Sequence, residues 1–187
     1  GPDSVALYVS GQILTEDYYV ANKLMKGFVG SANIDTNSRL CMASSVAGHK
    51  RAFGSDTVPG CYEDLERADL VVMVGSNLAW CHPVLHNRIV AAREKRGTRL
   101  VIIDPRKTAT TDAADLHLPI RPGADVLLFN ALFAHLAASD AHDTSFVNAH
   151  TKGLDAALDA SGPLGLAELS IATALPKSDL RTFFQWV

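Results

Sequence analysis

The stretch LVVMVGSNLAWCHP, residues 70–83, decides the fold of this chain. Its first five residues, Leu70–Val74, form a continuous apolar run, which is typical of a strand buried on both faces of a parallel sheet. Residues 75–77 follow as a polar turn, and residues 83–95 have the apolar spacing of a helix. A strand, a turn and a helix in this order predict one βαβ unit.

Similar patterns on either side extend this unit into a sheet. Short apolar runs predict strands at residues 5–10, 100–103 and 116–120, and helical spacing predicts helices at residues 15–28, 42–53, 62–68 and 125–138. Strands that alternate with helices predict an α/β fold, with a doubly wound, mostly parallel sheet and helices on both faces. In such sheets ligands bind beyond the carboxyl ends of the strands. The polar loops at residues 11–12, 75–77, 104–106 and 123–125 all follow strands, so we expect them to share one site.

The end of the chain has a different composition. We expect residues 1–150 to form the α/β domain and residues 151–187 to form a helical continuation, because the latter are alanine-rich and end in an aromatic helical pattern. The chain stops at Val187 without a polar ending, so we expect it to be a piece of a longer enzyme.

Composition excludes several classes of protein. The formal charge of −3 and the lack of a basic cluster give no footprint for nucleic acid or for a membrane surface. The longest apolar run, at residues 126–138, is interrupted by Asn130 and His135 and is too short to span a bilayer. The three cysteines lie too far apart for the close pairs of zinc or iron–sulfur sites, and we interpret them as thiols in a reducing compartment.

The stretch NIDTNSRLCMASSV, residues 33–46, contains the residue most suited to chemistry. Asn37 or Ser38 suits a helix N-cap, which would place Cys41 in the opening turn of the helix of residues 42–53. Peptide dipoles there favour an anion, so the thiol should ionise more readily than that of a free cysteine. From the residues alone, Cys41 is a nucleophile, a ligand for a soft metal, or a small buried apolar residue.

The loops after the strands also leave alternatives open. Residues 75–77 either face a phosphate with their backbone amides or form an ordinary turn, and the chain lacks the GxGxxG pattern of nicotinamide sites. Asp104 could accept hydrogen bonds from ribose or guanine, or could be a turn residue before Pro105. Asp125 could bind guanine nitrogens, or could stabilise the start of its own helix.

Four motifs together resemble one enzyme family. The pattern NxDxNxRxCMASS is similar to the molybdenum-ligand loop of molybdopterin oxidoreductases of the dimethyl-sulfoxide-reductase family, and most similar to the loop of the nitrate reductase branch. The segment GCYEDLERADLVVMVGSNLAWCHP is similar to the family's stretch from a GCYxD turn to a GSNxA cofactor loop, and VIIDPRKT and LPIRPGAD are similar to later segments that bind molybdopterin guanine dinucleotide in this family. The resemblance covers about residues 5 to 135.

The resemblance implies a cofactor, molybdenum-bis(molybdopterin guanine dinucleotide), and a role for each matching residue. Cys41 would be the metal ligand, and Arg39 and Met42 would flank it as the remaining catalytic residues, either of them facing the anionic substrate; the alternative for Arg39 is a surface or pterin contact. The cofactor contacts would be Gln12, Asn37, Cys41, Val74, Gly75, Ser76, Asn77, Leu78, Ala79, Trp80, Cys81, Ile103, Asp104, Pro105, Arg106, Lys107, Gly123, Ala124 and Asp125.

The resemblance also implies a reaction and a branch. The substrate would be nitrate, reduced to nitrite by oxygen-atom transfer, with an electron donor, the remaining domains and an iron–sulfur cluster in the missing part of the enzyme. Residues 80–83 and Thr36 favour the cytoplasmic assimilatory branch over its periplasmic relatives. Met42 stands where formate dehydrogenases of the family usually have His, which disfavours that alternative. We expect the isolated piece to be inactive. A non-catalytic α/β module that binds a nucleotide or a partner subunit is the alternative from another class.

Overall fold

A computed structural model describes residues 1–139 and 141–187, without the side chains of Ser38 and Arg39. The chain divides into two compact units, residues 1–59 and 60–187, and each is described by itself. The regular elements of the first unit are β1 (Leu7–Val9), α1 (Thr15–Asn22), a π-helix (Lys23–Val29), β2 (Ile34–Thr36), α2 (Ser38–Cys41) and α3 (Ala43–Phe53), after a 3-10 turn at Pro2–Ser4. Those of the second unit are α4 (Asp64–Arg67), β3 (Leu70–Val74), α5 (Leu78–Cys81), α6 (Pro83–Arg96), β4 (Arg99–Ile103), a 3-10 helix (Ala109–Ala113), β5 (Leu116–Leu118), α7 (Asp125–Ala138), α8 (Thr144–His150), α9 (Leu154–Ser161), α10 (Leu166–Thr173) and α11 (Lys177–Trp186).

The first unit has a small parallel sheet and little buried apolar surface. In this sheet β1 pairs with β2, and Leu7 lies opposite Ile34. The helix predicted at residues 15–28 is present as α1 and the π-helix that continues it, which ends at Gly30 with a left-handed φ of 77°. Among the described residues of this unit, Met25 is the one apolar side chain that is fully buried.

The second unit is built on a three-stranded parallel sheet in the order β3-β4-β5. Val74 lies opposite Ile103, and Ile103 lies opposite Leu118, so the three strands end at the same edge. The strands predicted in this region are confirmed, with β4 beginning one residue earlier and β5 ending two residues earlier than expected.

Helices cover both faces of this sheet. Side chains alternate between the faces of a strand, and β4 shows the consequence. Its Leu100 and Ile102 pack with Ile89 of α6, whereas Val101 and Ile103 pack with Leu128 of α7. The predicted fold class, a doubly wound α/β sheet with helices on both faces, is confirmed.

The last part of the chain completes the second core. The helices predicted after residue 151 are present as α9, α10 and α11. Leu169 of α10 and Phe183 of α11 are buried in the same apolar cluster as Leu128 of α7. The compact division of the structure therefore falls at residues 59 and 60, and a domain boundary at residue 150 stays a prediction.

Several elements were not predicted from the sequence, among them α5 and the 3-10 helix Ala109–Ala113, as well as β2 and α8. β2 lies inside the stretch that we expected to be a loop, and with three residues it is too short to show a strand pattern. α8 is also short, and Asp143 caps it by accepting a hydrogen bond from the Phe146 amide at 2.9 Å. Among the described residues, none of the helices combines the length and the apolar character needed to cross a bilayer.

Candidate functional site

The segment around Cys41 lies between β2 and α3 in the first unit. The amides of Leu40 and Cys41 donate to the Asn37 carbonyl at 2.9 Å, so Asn37 is the N-cap residue of the single turn α2. Met42, with φ −117° and ψ 16°, separates this turn from α3. The prediction that Cys41 belongs to the opening turn of the long helix is wrong, because the helix is broken at Met42.

The side chain of Asn37 does not cap α2. It makes no capping bond within its own helix, and its Oδ1 accepts a hydrogen bond from the Gly11 amide. A side-chain cap by Asn37 is therefore wrong, since this oxygen accepts from the loop after β1, and the alternative cap, the side chain of Ser38, lies outside the described residues. The amide of Gln12, the next residue in that loop, donates to Ser10 Oγ at 3.1 Å. The structure thus brings the loop of Gln12 next to Asn37.

Three predicted site residues of the first unit have exposed side chains. Cys41 and Gln12 are exposed, and 53% of Met42 is exposed. The alternative of a small buried apolar cysteine is therefore wrong for Cys41. The side chain of Arg39, which we predicted to flank the metal, lies outside the described residues.

In the second unit, the loop of residues 74–81 leaves the carboxyl end of β3. Gly75 has a left-handed φ of 57°, which glycine adopts at no steric cost. A Cβ at this position would meet no atom within 4 Å, so the backbone is open on this side. The Gly75 amide donates to the Ile103 carbonyl at 2.8 Å, which joins this loop to the end of β4.

The amides of this loop divide into bonded and unbonded groups. Those of Trp80 and Cys81 donate to the Asn77 carbonyl at 3.1 and 2.9 Å. Those of Ser76, Asn77 and Leu78 donate to no residue in the part of the chain that the structure describes. Unbonded amides on an open turn are the groups that receive phosphate oxygens in proteins.

A buried threonine holds this loop from the neighbouring 3-10 helix. Thr110 Oγ1 accepts a hydrogen bond from the Ala79 amide at 3.1 Å and lies 3.4 Å from Asn77 Oδ1, to which it donates. Thr110 is fully buried. It was not among the predicted site residues, although the threonine-rich run after VIIDPRK could have drawn attention to it.

Asp104 begins the loop after β4 and is buried. Its Oδ1 accepts the Arg106 amide at 2.8 Å, and its own amide donates to the Leu118 carbonyl at 3.2 Å. His117 Nε2 lies 2.9 Å from the Asp104 carbonyl, which gives the backbone a second support. Asp104 is therefore a turn residue, as one predicted alternative holds. Its Oδ2 accepts no hydrogen bond from a described residue and can serve a ligand as well.

The third predicted loop, residues 123–125, leads from the end of β5 into α7. Gly123 has a left-handed φ of 83° and open space where a Cβ would stand. The Ala124 amide donates to the Arg121 carbonyl at 3.1 Å, and Asp125 is the first residue of α7. The three loops of the second unit thus follow three adjacent strands, as the sequence predicted.

An ion pair stabilises the opposite end of the sheet. Arg93 donates to both oxygens of Asp115, at 2.5 and 3.2 Å, and holds the pKa of this carboxyl below its usual range. Asp115 Oδ2 also accepts the Leu100 amide at 2.8 Å. Because Leu100 lies near the start of β4, this charge pair fixes the strand without contacting the loops.

The described donor groups fit a metal ion whose other ligands come from a cofactor. Cys41, Cys61 and Cys81 are free and exposed thiols. Among the described residues, no three His, Cys, Asp or Glu side chains are close enough together to hold a metal ion. The exposed sulfur of Cys41 can complete the shell of a soft metal that is already held by a sulfur-rich cofactor.

A parallel sheet covered by helices on both faces, with open loops beyond its strand ends, defines a doubly wound α/β domain. The model of the molybdopterin oxidoreductase family matches residues 1–158, and the chain belongs to this family. Members of this family carry a molybdenum-pterin cofactor.

Curated relatives agree with this assignment, and a solved structure shares the fold. The chain is 54% identical to a nitrate reductase of Shewanella frigidimarina, over 100% of the chain and 20% of the relative. It is 36% identical to an assimilatory nitrate reductase of Haloferax mediterranei, over 99% of the chain and 27% of that protein. It is 45% identical to a periplasmic nitrate reductase of Desulfovibrio desulfuricans, over 71% of the chain and 18% of that protein. Acetylene hydratase from Pelobacter acetylenicus has a similar fold, with a TM-score of 0.71 and 24% identity over 98% of the chain and 25% of that structure. The chain thus spans about a fifth to a quarter of the length of the proteins that it resembles.

Proposed function

We propose that this chain is the cofactor-binding domain of a longer molybdenum nitrate reductase, which reduces nitrate to nitrite. The observation that carries the proposal is the stretch NIDTNSRLCMASS, with Cys41 exposed at the end of a single helical turn. The nitrate reductase relatives, which match over nearly the whole chain, support the proposed reaction.

The proposed contacts assign the two units different tasks. Cys41 in the first unit gives its thiolate to molybdenum, and Gln12 and Asn37 contact the pterin. The second unit holds the two guanine dinucleotides of a bis(molybdopterin guanine dinucleotide) cofactor, through the loops at residues 74–81, 103–107 and 123–125. The open glycine backbones and the unbonded amides of the first of these loops fit anionic phosphate groups.

The cofactor supplies the redox chemistry when it is bound: nitrate gives up one oxygen to become nitrite, and two electrons and two protons turn that oxygen into water. The chain supplies binding and local charge. Arg39 carries a permanent positive charge that attracts the nitrate anion. Met42 lines the approach to the metal with a polarizable side chain that takes up no proton.

We further propose that the enzyme belongs to the cytoplasmic assimilatory branch. Residues 80–83, Trp-Cys-His-Pro, and Thr36 support this branch, while the relatives include both assimilatory and periplasmic enzymes. An iron–sulfur cluster, the remaining domains and the docking site for an electron donor then belong to parts of the enzyme outside these 187 residues.

The test uses the longer enzyme, purified after growth with molybdate, and a reduced dye as electron donor. We expect nitrate-dependent oxidation of the dye with one nitrite formed per two electrons, and little reduction of the oxidised dye by formate. Enzyme prepared from cells grown without molybdate is the control and should lose the nitrate activity. Formate-dependent dye reduction without any nitrite formation would overturn the proposal, because formate oxidation needs a proton-accepting group that Met42 does not provide.

A further inference from the structure

We propose that Thr110 is a positioning residue for cofactor binding: its buried hydroxyl fixes the loop of residues 74–81 in the shape that receives an anionic dinucleotide. The inference rests on the proposed function of this loop. Thr110 bonds to the Ala79 amide and to the Asn77 side chain, so it acts through these two residues rather than on the cofactor.

The hydroxyl of Thr110 is fully used by the loop. A threonine hydroxyl has one hydrogen to donate and lone pairs to accept with. Here it accepts from the Ala79 amide at 3.1 Å and donates to Asn77 Oδ1 at 3.4 Å, and no part of the residue is exposed to solvent. A buried hydroxyl with both functions satisfied holds its partners more strictly than an exposed one, because water cannot replace it.

Asn77 is the point at which this loop changes direction. Its φ of −90° and ψ of 59° belong to neither a strand nor a helix. Its carbonyl accepts the amides of Trp80 and Cys81, and its side chain accepts the Thr110 hydroxyl. The direction of the unbonded amides at residues 76–78 therefore depends on how Asn77 is held.

The position of Thr110 in the chain links two of the proposed contact loops. The 3-10 helix Ala109–Ala113 directly follows the loop of residues 103–107. It is held internally by the Thr111 hydroxyl, which donates to the Thr108 carbonyl at 2.6 Å. Thr110 belongs to this helix and binds residues 77 and 79. It therefore sets the distance between the loops of residues 74–81 and 103–107 in the absence of a ligand.

The test compares Thr110→Val with Thr98→Val in the longer enzyme. Valine keeps the shape of threonine and removes the hydroxyl. Thr98 is a matched control, since it is also buried and its hydroxyl also makes a long-range hydrogen bond, to the Ala68 carbonyl at 2.8 Å, at the other end of β4. Thr110→Val should speed hydrogen exchange of the Ala79 amide and the release of guanine dinucleotide each by about tenfold, as expected for the loss of one buried hydrogen bond. Thr98→Val should leave both rates unchanged.

Further variants separate the possible failures. If Thr110→Val does not fold, Thr110→Ser and Thr110→Ala replace it, and only the alanine variant should release the cofactor faster. Asn77→Asp keeps the acceptor for Thr110 and adds a negative charge that repels phosphate. If Asn77→Asp loses the cofactor rapidly while Thr110→Val retains it as the wild type does, the proposed role of Thr110 is overturned and the proposed function of the loop stands. Unchanged retention in Asn77→Asp would overturn the proposed function of the loop.

Discussion

The two units of the chain differ in how much of their structure they bury. In the second unit, apolar side chains cover both faces of the sheet. Leu100 of β4 is buried on one face, and Leu128 of α7 packs against the other. In the described part of the first unit, Met25 is the one fully buried apolar residue, while large side chains such as Phe28 are 75% exposed. Buried apolar area is the main source of folding free energy. The second unit therefore has the core to hold its loops rigidly, whereas the first presents its thiol on a thinly packed scaffold.

The comparison predicts that the proposed metal and dinucleotide roles can be separated by mutation. Cys41→Ser in the longer enzyme should lower nitrate reduction by at least about 10³-fold, equivalent to about 4 kcal/mol in the activation free energy. A serine hydroxyl is a harder ligand than a thiolate and stays protonated near neutral pH. The guanine dinucleotide content should stay near that of the wild type, because the loops of the second unit are unchanged. Nitrite production and released guanine nucleotide measure the two effects.

Cys61→Ser is the control for this variant. Cys61 is also a free and exposed thiol, but it belongs to the second unit and to none of the proposed contacts. We expect its nitrate activity to stay within about twofold of the wild type, as for most exposed surface substitutions. If Cys41→Ser kept most of the activity, Cys41 would not be the metal ligand.

The core of the second unit predicts the next largest effect. Leu128→Ala should lower the free energy of unfolding by about 3 kcal/mol, because the side chain is fully buried and its loss leaves a cavity. Leu127→Ala, in the same helix but 36% exposed, should cost less than half as much. Both tryptophans, Trp80 and Trp186, lie in the second unit, so urea unfolding followed by tryptophan fluorescence reports on this unit. Equal losses in the two variants would contradict the distinction between the buried and exposed sides of α7.

The same contrast explains how far the sequence could predict the fold. The apolar run of β4 is buried on both faces and that of β3 is buried on one face and partly buried on the other, and such runs have few alternatives to a parallel strand. The loops after β3, β4 and β5 lie in the same order as these strands, because each loop starts at the end of its strand. β2 is only three residues long, and what makes it a strand is its pairing with β1, which a local pattern cannot show.

The details of the candidate site were harder to predict than its position. Asn37 was correctly placed at an N-cap, but its side chain bonds to Gly11, which is 26 residues away. Thr110 bonds to a loop 31 residues away and has no local signature beyond its residue type. Hydrogen bonds of this kind depend on how distant elements pack, so the sequence indicates the presence of the loops but not what fixes their shape.

The smallest predicted effect concerns the charge pair that stabilises the second unit away from its loops. Asp115→Asn keeps an oxygen for the Leu100 amide and removes the charge that Arg93 binds. The free energy of unfolding should therefore fall by about 1 kcal/mol at neutral pH. This value allows for solvent screening, because the pair is partly exposed. Asp69→Asn is the matched control, since its carboxylate is fully exposed and pairs with Arg96 at 3.4 Å, and it should have no measurable effect.

The pKa of Asp115 is lowered in the folded state, so its stabilisation is complete above its unfolded pKa of about 3.9 and is lost as the pH falls through the lower folded value. The stability difference between Asp115→Asn and the wild type, measured by tryptophan fluorescence in urea, should therefore be constant from neutral pH to about pH 5, decrease below about pH 4 and vanish once the pH is below the folded pKa of Asp115. A difference that persisted into acid would mean that the variant acts through packing or hydrogen-bond geometry and not through the charge of Asp115.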